Sequence, residues 1–250
     1  MSLLAPELVH ASLLYARSAA RAGAPAAAAS PGVPSVFDGA ANTAAIVVLL
    51  LEFMMLRTAL FRTQIRLYAL QSLTVSVLAV IVASGRGIPE LYALAGMSLL
   101  LKAVIVPTVM FRFLRNSRAE IAGSGALGVA SEIFLALAVA GFGFFTVGVL
   151  GIHSPVLPTA ALSLSVAVVL VSFVLMIVRR DVVSQAVGFF SLENGVSMGS
   201  LVVAAGLPLI LEVAFLFDLL VAVVVFGVLI RVHQKRTSSL STISLNRLRG

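Results

Sequence analysis

The sequence has no cysteine and no tryptophan, three histidines, and only 11% charged residues. Without cysteine there is no disulfide, thiolate metal ligand, iron–sulfur ligation or cysteine nucleophile. His10, His153 and His233 lie outside the middle of any apolar run, and no two stand at ligand spacing, which argues against a catalytic metal site. Soluble domains carry about 25% charge. A chain that is 60% hydrophobic cannot bury its Leu, Val and Ala residues in a water-soluble fold, so lipid is its solvent. The net charge of +7 does not point to nucleic acid, because the basic residues cluster at the ends of apolar runs.

A membrane-spanning helix needs roughly 20 apolar residues. Seven runs meet that requirement, at 43–61, 65–84, 89–114, 125–151, 156–178, 182–204 and 208–232. Polar or helix-breaking stretches separate them: Arg62 to Arg66, Ser84 to Pro89, Asn116 to Arg118, His153 to Pro155, Arg179 to Asp181 and Ala205 to Pro208. The expected fold is all-α, a polytopic membrane protein with about seven transmembrane helices. Its parts are an N-terminal tail (1–42), helices 1–5 (43–178), helices 6–7 (179–232) and a C-terminal tail (233–250).

Positive charge alternates from turn to turn. Arg57, Arg62 and Arg66 flank the first turn, Arg112, Arg115 and Arg118 the third, and Arg179 and Arg180 the fifth. Arg231, Lys235, Arg236, Arg247 and Arg249 end the chain. The opposite side has Arg86, with Arg17 and Arg21 in the remote N-terminal tail. The positive-inside rule puts the N-terminus outside and the C-terminus in the cytoplasm, as an odd number of spans requires. Pro6 to Arg21 reads either as a short surface helix or as part of a flexible tail, and Ala22 to Val33 as a linker. No internal or inverted repeat emerges, which argues against a typical secondary transporter.

Six ionisable residues fall within the spans: Glu52, Lys102, Glu132, Glu193, Glu212 and Asp218. Each costs roughly 2.5–3.5 kcal/mol at a helix centre on insertion scales, so they should face the bundle and mark an ion pathway. Glu52, Lys102 and Glu193 sit near mid-span. Asp218 is a little outside the middle of its span, Glu132 is in the inner third, and Glu212 is close enough to the outer end to reach headgroups. Pro107, five residues after Lys102, should kink the third helix and open room for water beside the amine. Gly195 and Gly199 flank Glu193 with a small-xxx-small face that lets another helix approach closely, and Asn194 and Ser197 add hydrogen-bonding groups. Carboxylates and an amine at similar depth in different helices meet the requirement for a lateral proton path, with Lys102, Glu193, Asp218, Glu52 and Glu132 as its candidate stations.

The run Arg66-Leu-Tyr-Ala-Leu-Gln-Ser72, the segment Leu101-Lys-Ala-Val-Ile-Val-Pro107 and the segment Gly188-Phe-Phe-Ser-Leu-Glu-Asn-Gly195 resemble the membrane protein hydrogenase-4 component E. So do the spacing from Asp218 to Arg231 and the closing Leu248-Arg-Gly250, and the resemblance covers residues 43–250. That family's C-terminal half is similar to subunit K of respiratory complex I. Arg179-Arg180-Asp181 matches the start of a subunit K helix, and Asp218 matches its second acidic position. The first acidic position departs from the pattern: it would fall at Phe190, and the carboxylate here is Glu193, about one helical turn later. The resemblance implies a bacterial inner-membrane subunit of a group 4 hydrogenase-type or formate hydrogenlyase-type complex. Its partners would be antiporter-like membrane subunits and a subunit similar to complex I's quinone-site membrane protein. Nickel–iron and iron–sulfur centres would reside on partner subunits, with no cofactor and no catalysis in this chain. The same charges would also suit a stand-alone ion-coupled antiporter or a membrane scaffold. A seven-helix photoreceptor fits less well, because the mid-span lysine is on the third helix and the last offers Asp218.

Overall fold

A computed structural model of the chain describes residues 36–115, 125–150, 159–203, 218–230 and 232. The tails, Glu212 and the connections around 116–124, 151–158 and 204–217 lie outside the described residues. Every regular element among the described residues is a helix. They are α1 (Val36–Arg57), α2 (Phe61–Arg86), α3 (Pro89–Arg115), α4 (Val129–Val149), α5 (Thr159–Val178), α6 (Val182–Val203) and α7 (Asp218–Ile230). The first five are long and apolar enough to cross a membrane. The chain is therefore a helical, multi-pass membrane protein. Helix α6 has 22 residues, but Gln185, Glu193, Asn194 and its serines make it too polar to qualify by composition. The described part of α7 is short.

The first helix begins at Val36, earlier than the expected 43, because the Phe37–Asn42 lead-in continues the helix and Thr43 Oγ1 donates back to Gly39 O at 2.8 Å. It also ends earlier, at Arg57. The expected separator Arg62 to Arg66 instead forms the opening turns of α2. The reason is Gln64, whose amide Nε2 donates to Met55 O at 3.2 Å and Thr58 O at 2.9 Å. Those carbonyls lie at and just past the end of α1, where a helix leaves its last carbonyls without intrahelical partners. The next turn matches its sequence signals. Gly87 takes the left-handed conformation (φ 65°) just past α2, and Pro89 opens α3.

In place of a simple kink, α3 is wound as a π-helix from Leu99 to Ile105, with Lys102 at the centre of that stretch. Val106 N–H donates to Leu101 O, five residues back. Pro107 has no N–H to give and its ring crowds the carbonyl four residues before it, so the wider winding accommodates it.

Close packing depends on glycine where helices touch. A Cβ on Gly188 would lie 2.8 Å from Met176 Cγ, and one on Gly195 would lie 2.9 Å from Val169 Cγ2 and 3.1 Å from Val169 N. Gly199 faces Ser165. The expected small-residue face of α6 thus lies against α5. Gly143 of α4 meets the Ala167 backbone of α5 in the same way.

Backbone and side-chain hydrogen bonds fix the helix directions. Arg179, just past α5, donates to Leu56 O near the end of α1, and Ala126 N, before α4, donates to Val178 O at 2.8 Å. Gln64 and Ser184, both in first turns, are joined at 2.8 Å. The ends of α1 and α5 and the starts of α2, α4 and α6 therefore share one end of the bundle, together with Arg57, Arg62, Arg179 and Arg180. One apolar cluster fills this end, with Leu56, Phe61, Ile65, Leu114 and Val182. A second fills the other, with Ala45, Val82, Leu91, Leu162 and Leu201.

Candidate functional site

A layer of buried polar side chains lies where the two apolar clusters meet. Its frame is a register between α2 and α6. Ser184 Oγ donates to Gln64 Oε1 at 2.8 Å, and Ser191 Oγ donates to Gln71 Oε1 at 2.8 Å. The two rungs are seven residues apart on both helices, close to two helical turns, so α2 and α6 run parallel. Asn194 Nδ2, one turn beyond Ser191, donates to Ser72 Oγ at 2.8 Å and to Gln71 Oε1 at 3.1 Å.

Glu52 of α1 is fully buried against this frame. Gln71 Nε2 donates to its Oε2 at 2.9 Å, and Ser191 Oγ is in contact with the same oxygen. Ser172 of α5 borders the carboxyl but donates its hydroxyl to Val168 O at 2.9 Å. Glu52 Oε1 and Asn194 Oδ1 are buried without a hydrogen-bond partner among the described residues.

Lys102 and Glu193 form the other half of the layer. Lys102 Nζ lies 3.2 Å from Glu193 Oε1 and donates to Ser197 Oγ at 2.8 Å. The lysine side chain is 1% exposed and the glutamate 14%. The π-wound stretch carries the amine and the glycine-lined helix carries the carboxylate, so the pair joins the two irregular elements that the sequence singled out. Asp218, at the described start of α7, is exposed and within Coulombic range of Glu193. Glu193 and Asn194 are consecutive on α6, which places the ion pair beside the Glu52 cage.

Phe190, where the subunit K pattern would have its glutamate, is 1% exposed and packs against Tyr68 and Phe226, each with ring centroids 5.8 Å away. An aromatic cluster thus occupies that position, and the carboxylate of α6 stands at Glu193, on the α3-facing side.

Glu132 is not in the same layer. Its Oε2 lies 3.9 Å from Arg179 Nη2, and Arg179 also donates to Leu56 O. Leu56 is one helical turn from Glu52, so this pair occupies the basic end of the column below the layer. Beside it Asp181 Oδ1 accepts the Ser184 N–H at 2.6 Å, capping α6. Burial pushes the Asp181 carboxyl above its ordinary range, and the Ser184 N–H opposes that shift.

Of the expected stations, then, Lys102 and Glu193 are brought into contact, Glu52 of α1 is held by Ser191, two residues before Glu193 on α6, and Asp218 is within Coulombic range of Glu193. Glu132 belongs to a separate pair. Sequence reasoning missed Gln64, Gln71, Ser72, Ser184 and Ser191 as site residues, and it gave Arg179 no carboxylate partner. A signal was present: Gln64 and Gln71 on α2, and Ser184 and Ser191 on α6, recur at the same spacing of seven.

No protein-family model matches the chain, and no solved structure matches it. Over 63 residues the chain is 46% identical to an uncharacterized protein of Mycobacterium tuberculosis, a stretch that is 25% of this chain and 29% of that protein. The match thus spans under a third of that relative's length.

Proposed function

We propose that this chain is a non-catalytic membrane-arm subunit of a complex I-like, group 4 hydrogenase-type redox complex, in which its buried polar layer forms part of a proton path. In this reading it crosses the bacterial inner membrane about seven times, with the N-terminus outside and the C-terminus in the cytoplasm. The arginine-rich end of the bundle is the cytoplasmic end, and parallel α2 and α6 agree with strict alternation of crossings. The redox centres belong to partner subunits. Antiporter-like subunits and a subunit similar to complex I's quinone-site protein are the neighbours that would pass protons to and from this layer.

One observation carries the reading. The three segments that resemble hydrogenase-4 component E lie far apart in sequence, yet their polar residues converge. Gln71 and Ser72 come from the first, Lys102 from the second, and Ser191, Glu193 and Asn194 from the third. A carboxylate and an amine kept at mid-membrane depth, with a second carboxyl held by hydroxyls and amides on the neighbouring face of the same helix, provide groups that can accept and release protons. The scaffold reading draws on the closed Lys102–Glu193 contact, since a permanent ion pair conducts nothing. The two are separated by purifying the chain from its native membrane and reconstituting the assembly in vesicles. Co-purification with large antiporter-like subunits, and redox-driven proton uptake that falls in Lys102→Met and Glu193→Gln assemblies, supports the path. Full uptake in intact variant assemblies supports the scaffold. Proton exchange by the chain alone would support an antiporter instead.

A further inference from the structure

Glu52 differs from the other buried carboxylates of the bundle. Glu193 has Lys102 and Glu132 has Arg179, but Glu52 is in no ion pair among the described residues. The groups around it are neutral: Gln71 and Ser72 on α2, Ser172 on α5, Ser191 and Asn194 on α6. Helix α5 contains no charged residue at all. The elements packed around it also carry titratable Tyr68 on α2 and Glu193 on α6, the latter paired to Lys102 on α3.

The hydrogens available in the cage bear on its charge. A serine hydroxyl has one hydrogen. Ser191 Oγ contacts both Glu52 Oε2 and Gln71 Oε1. If Glu52 were ionised, both neighbours would be acceptors, and one contact would face oxygen to oxygen with no hydrogen between. Exchanging the Gln71 amide nitrogen and oxygen, an assignment that rests on the surrounding network, does not help. The exchange would aim the amide oxygen at Glu52 Oε2 and Val48 O, and the amide nitrogen at Asn194 Nδ2. A proton on Glu52 gives each of these contacts a hydrogen. The carboxyl donates to Ser191 Oγ, Ser191 donates to Gln71 Oε1, and Gln71 Nε2 donates to Val48 O and back to the carboxyl. Asn194 Nδ2 donates to Gln71 Oε1 and Ser72 Oγ.

We propose that the Glu52 cage is a proton-binding site that holds one proton in the resting protein, and that it selects a proton over a sodium ion. The selectivity comes from Gln71, which presents an N–H to the carboxyl where a sodium site would present oxygens. The proposal rests on the proton-path reading for its purpose, and it deepens that reading by assigning a loaded station next to the Lys102–Glu193 pair. When the proton leaves, Ser191 is left as the donor to the carboxylate and loses its bond to Gln71 Oε1, so unloading rearranges the link between α2 and α6.

Infrared spectroscopy of the full-length chain in lipid vesicles tests this. The proposal expects a carboxylic-acid carbonyl band at neutral pH that shifts in deuterium oxide, persists in Glu193→Gln, vanishes in Glu52→Gln and is unchanged by added sodium chloride. Should Glu52→Gln fail to fold, Ser191→Ala supplies the second test, because loss of the acceptor must shift the band. A band that is absent, that survives in folded Glu52→Gln, that does not shift in Ser191→Ala, or that disappears when sodium is added at constant pH overturns the proposal. The measurement needs no partner subunit, so its failure would leave the pumping experiment standing, and loss of the pumping reading would not alter the band.

Discussion

Replacing Lys102 by Met, Glu193 by Gln, and then both, probes the charge state of the central pair. The two side chains are 1% and 14% exposed and 3.2 Å apart. Removing one partner of a buried ion pair leaves an uncompensated charge and costs about 3–5 kcal/mol, whereas replacing both by neutral groups of similar volume is often close to neutral. Methionine follows the course of the lysine stem, and glutamine keeps the shape of the carboxylate, so new cavities contribute little. Each single variant is therefore expected to lose about 3 kcal/mol or more, with the double variant recovering most of it. Reversible unfolding of the purified protein in mixed detergent–lipid micelles measures all four corners of the cycle. Single losses below about 1 kcal/mol that simply add, as for a solvent-exposed pair, would refute the reasoning.

Three further outcomes follow from the packing and the end pairs. Gly195→Ala places a methyl group 2.9–3.1 Å from Val169, including its backbone nitrogen. It should cost about 1–3 kcal/mol in thermal unfolding through overpacking, while Gly141→Ala, with nothing within 4 Å, should be near neutral. Arg179→Gln leaves Glu132 without its cation and should destabilise by about 3 kcal/mol, and adding Glu132→Gln should restore part of the loss; equal stability of Arg179→Gln and wild type would contradict the pairing. Pro107→Ala supplies the missing N–H and should return the Leu99–Ile105 stretch toward α-winding, detectable as a slowly exchanging amide at residue 107 and as weaker Lys102–Glu193 coupling.

The five long apolar helices were legible because hydropathy is a local property. Gly87 and Pro89 marked their turn correctly, and Gly195 and Gly199 marked the face that α5 occupies. Lys102 stood out because a mid-span cation is costly wherever it points. Its partner was not legible, since that choice depends on helix rotation and neighbour order. The start of α1 and the α1–α2 turn were misplaced for a related reason. Gln64 caps carbonyls six and nine residues earlier in the chain, and that side-chain contact leaves no trace in hydropathy. The Glu52 cage was the least visible part. Its glutamine, serines and asparagine carry no charge to mark them, and only the shared spacing of seven on α2 and α6 hinted that they meet. Arg179 shows the limit of reading charge by position: it marks the end of the bundle and also binds Glu132 and the Leu56 carbonyl.

The most direct test of the central idea is the number of protons moved per electron pair by the complete redox assembly in sealed vesicles, compared between wild type and Lys102→Met at equal assembly and equal electron flow. A lower ratio with electron transfer retained is the result a conducting layer requires. An unaltered ratio in fully assembled variant complexes would mean that the Lys102–Glu193 pair only holds helices together.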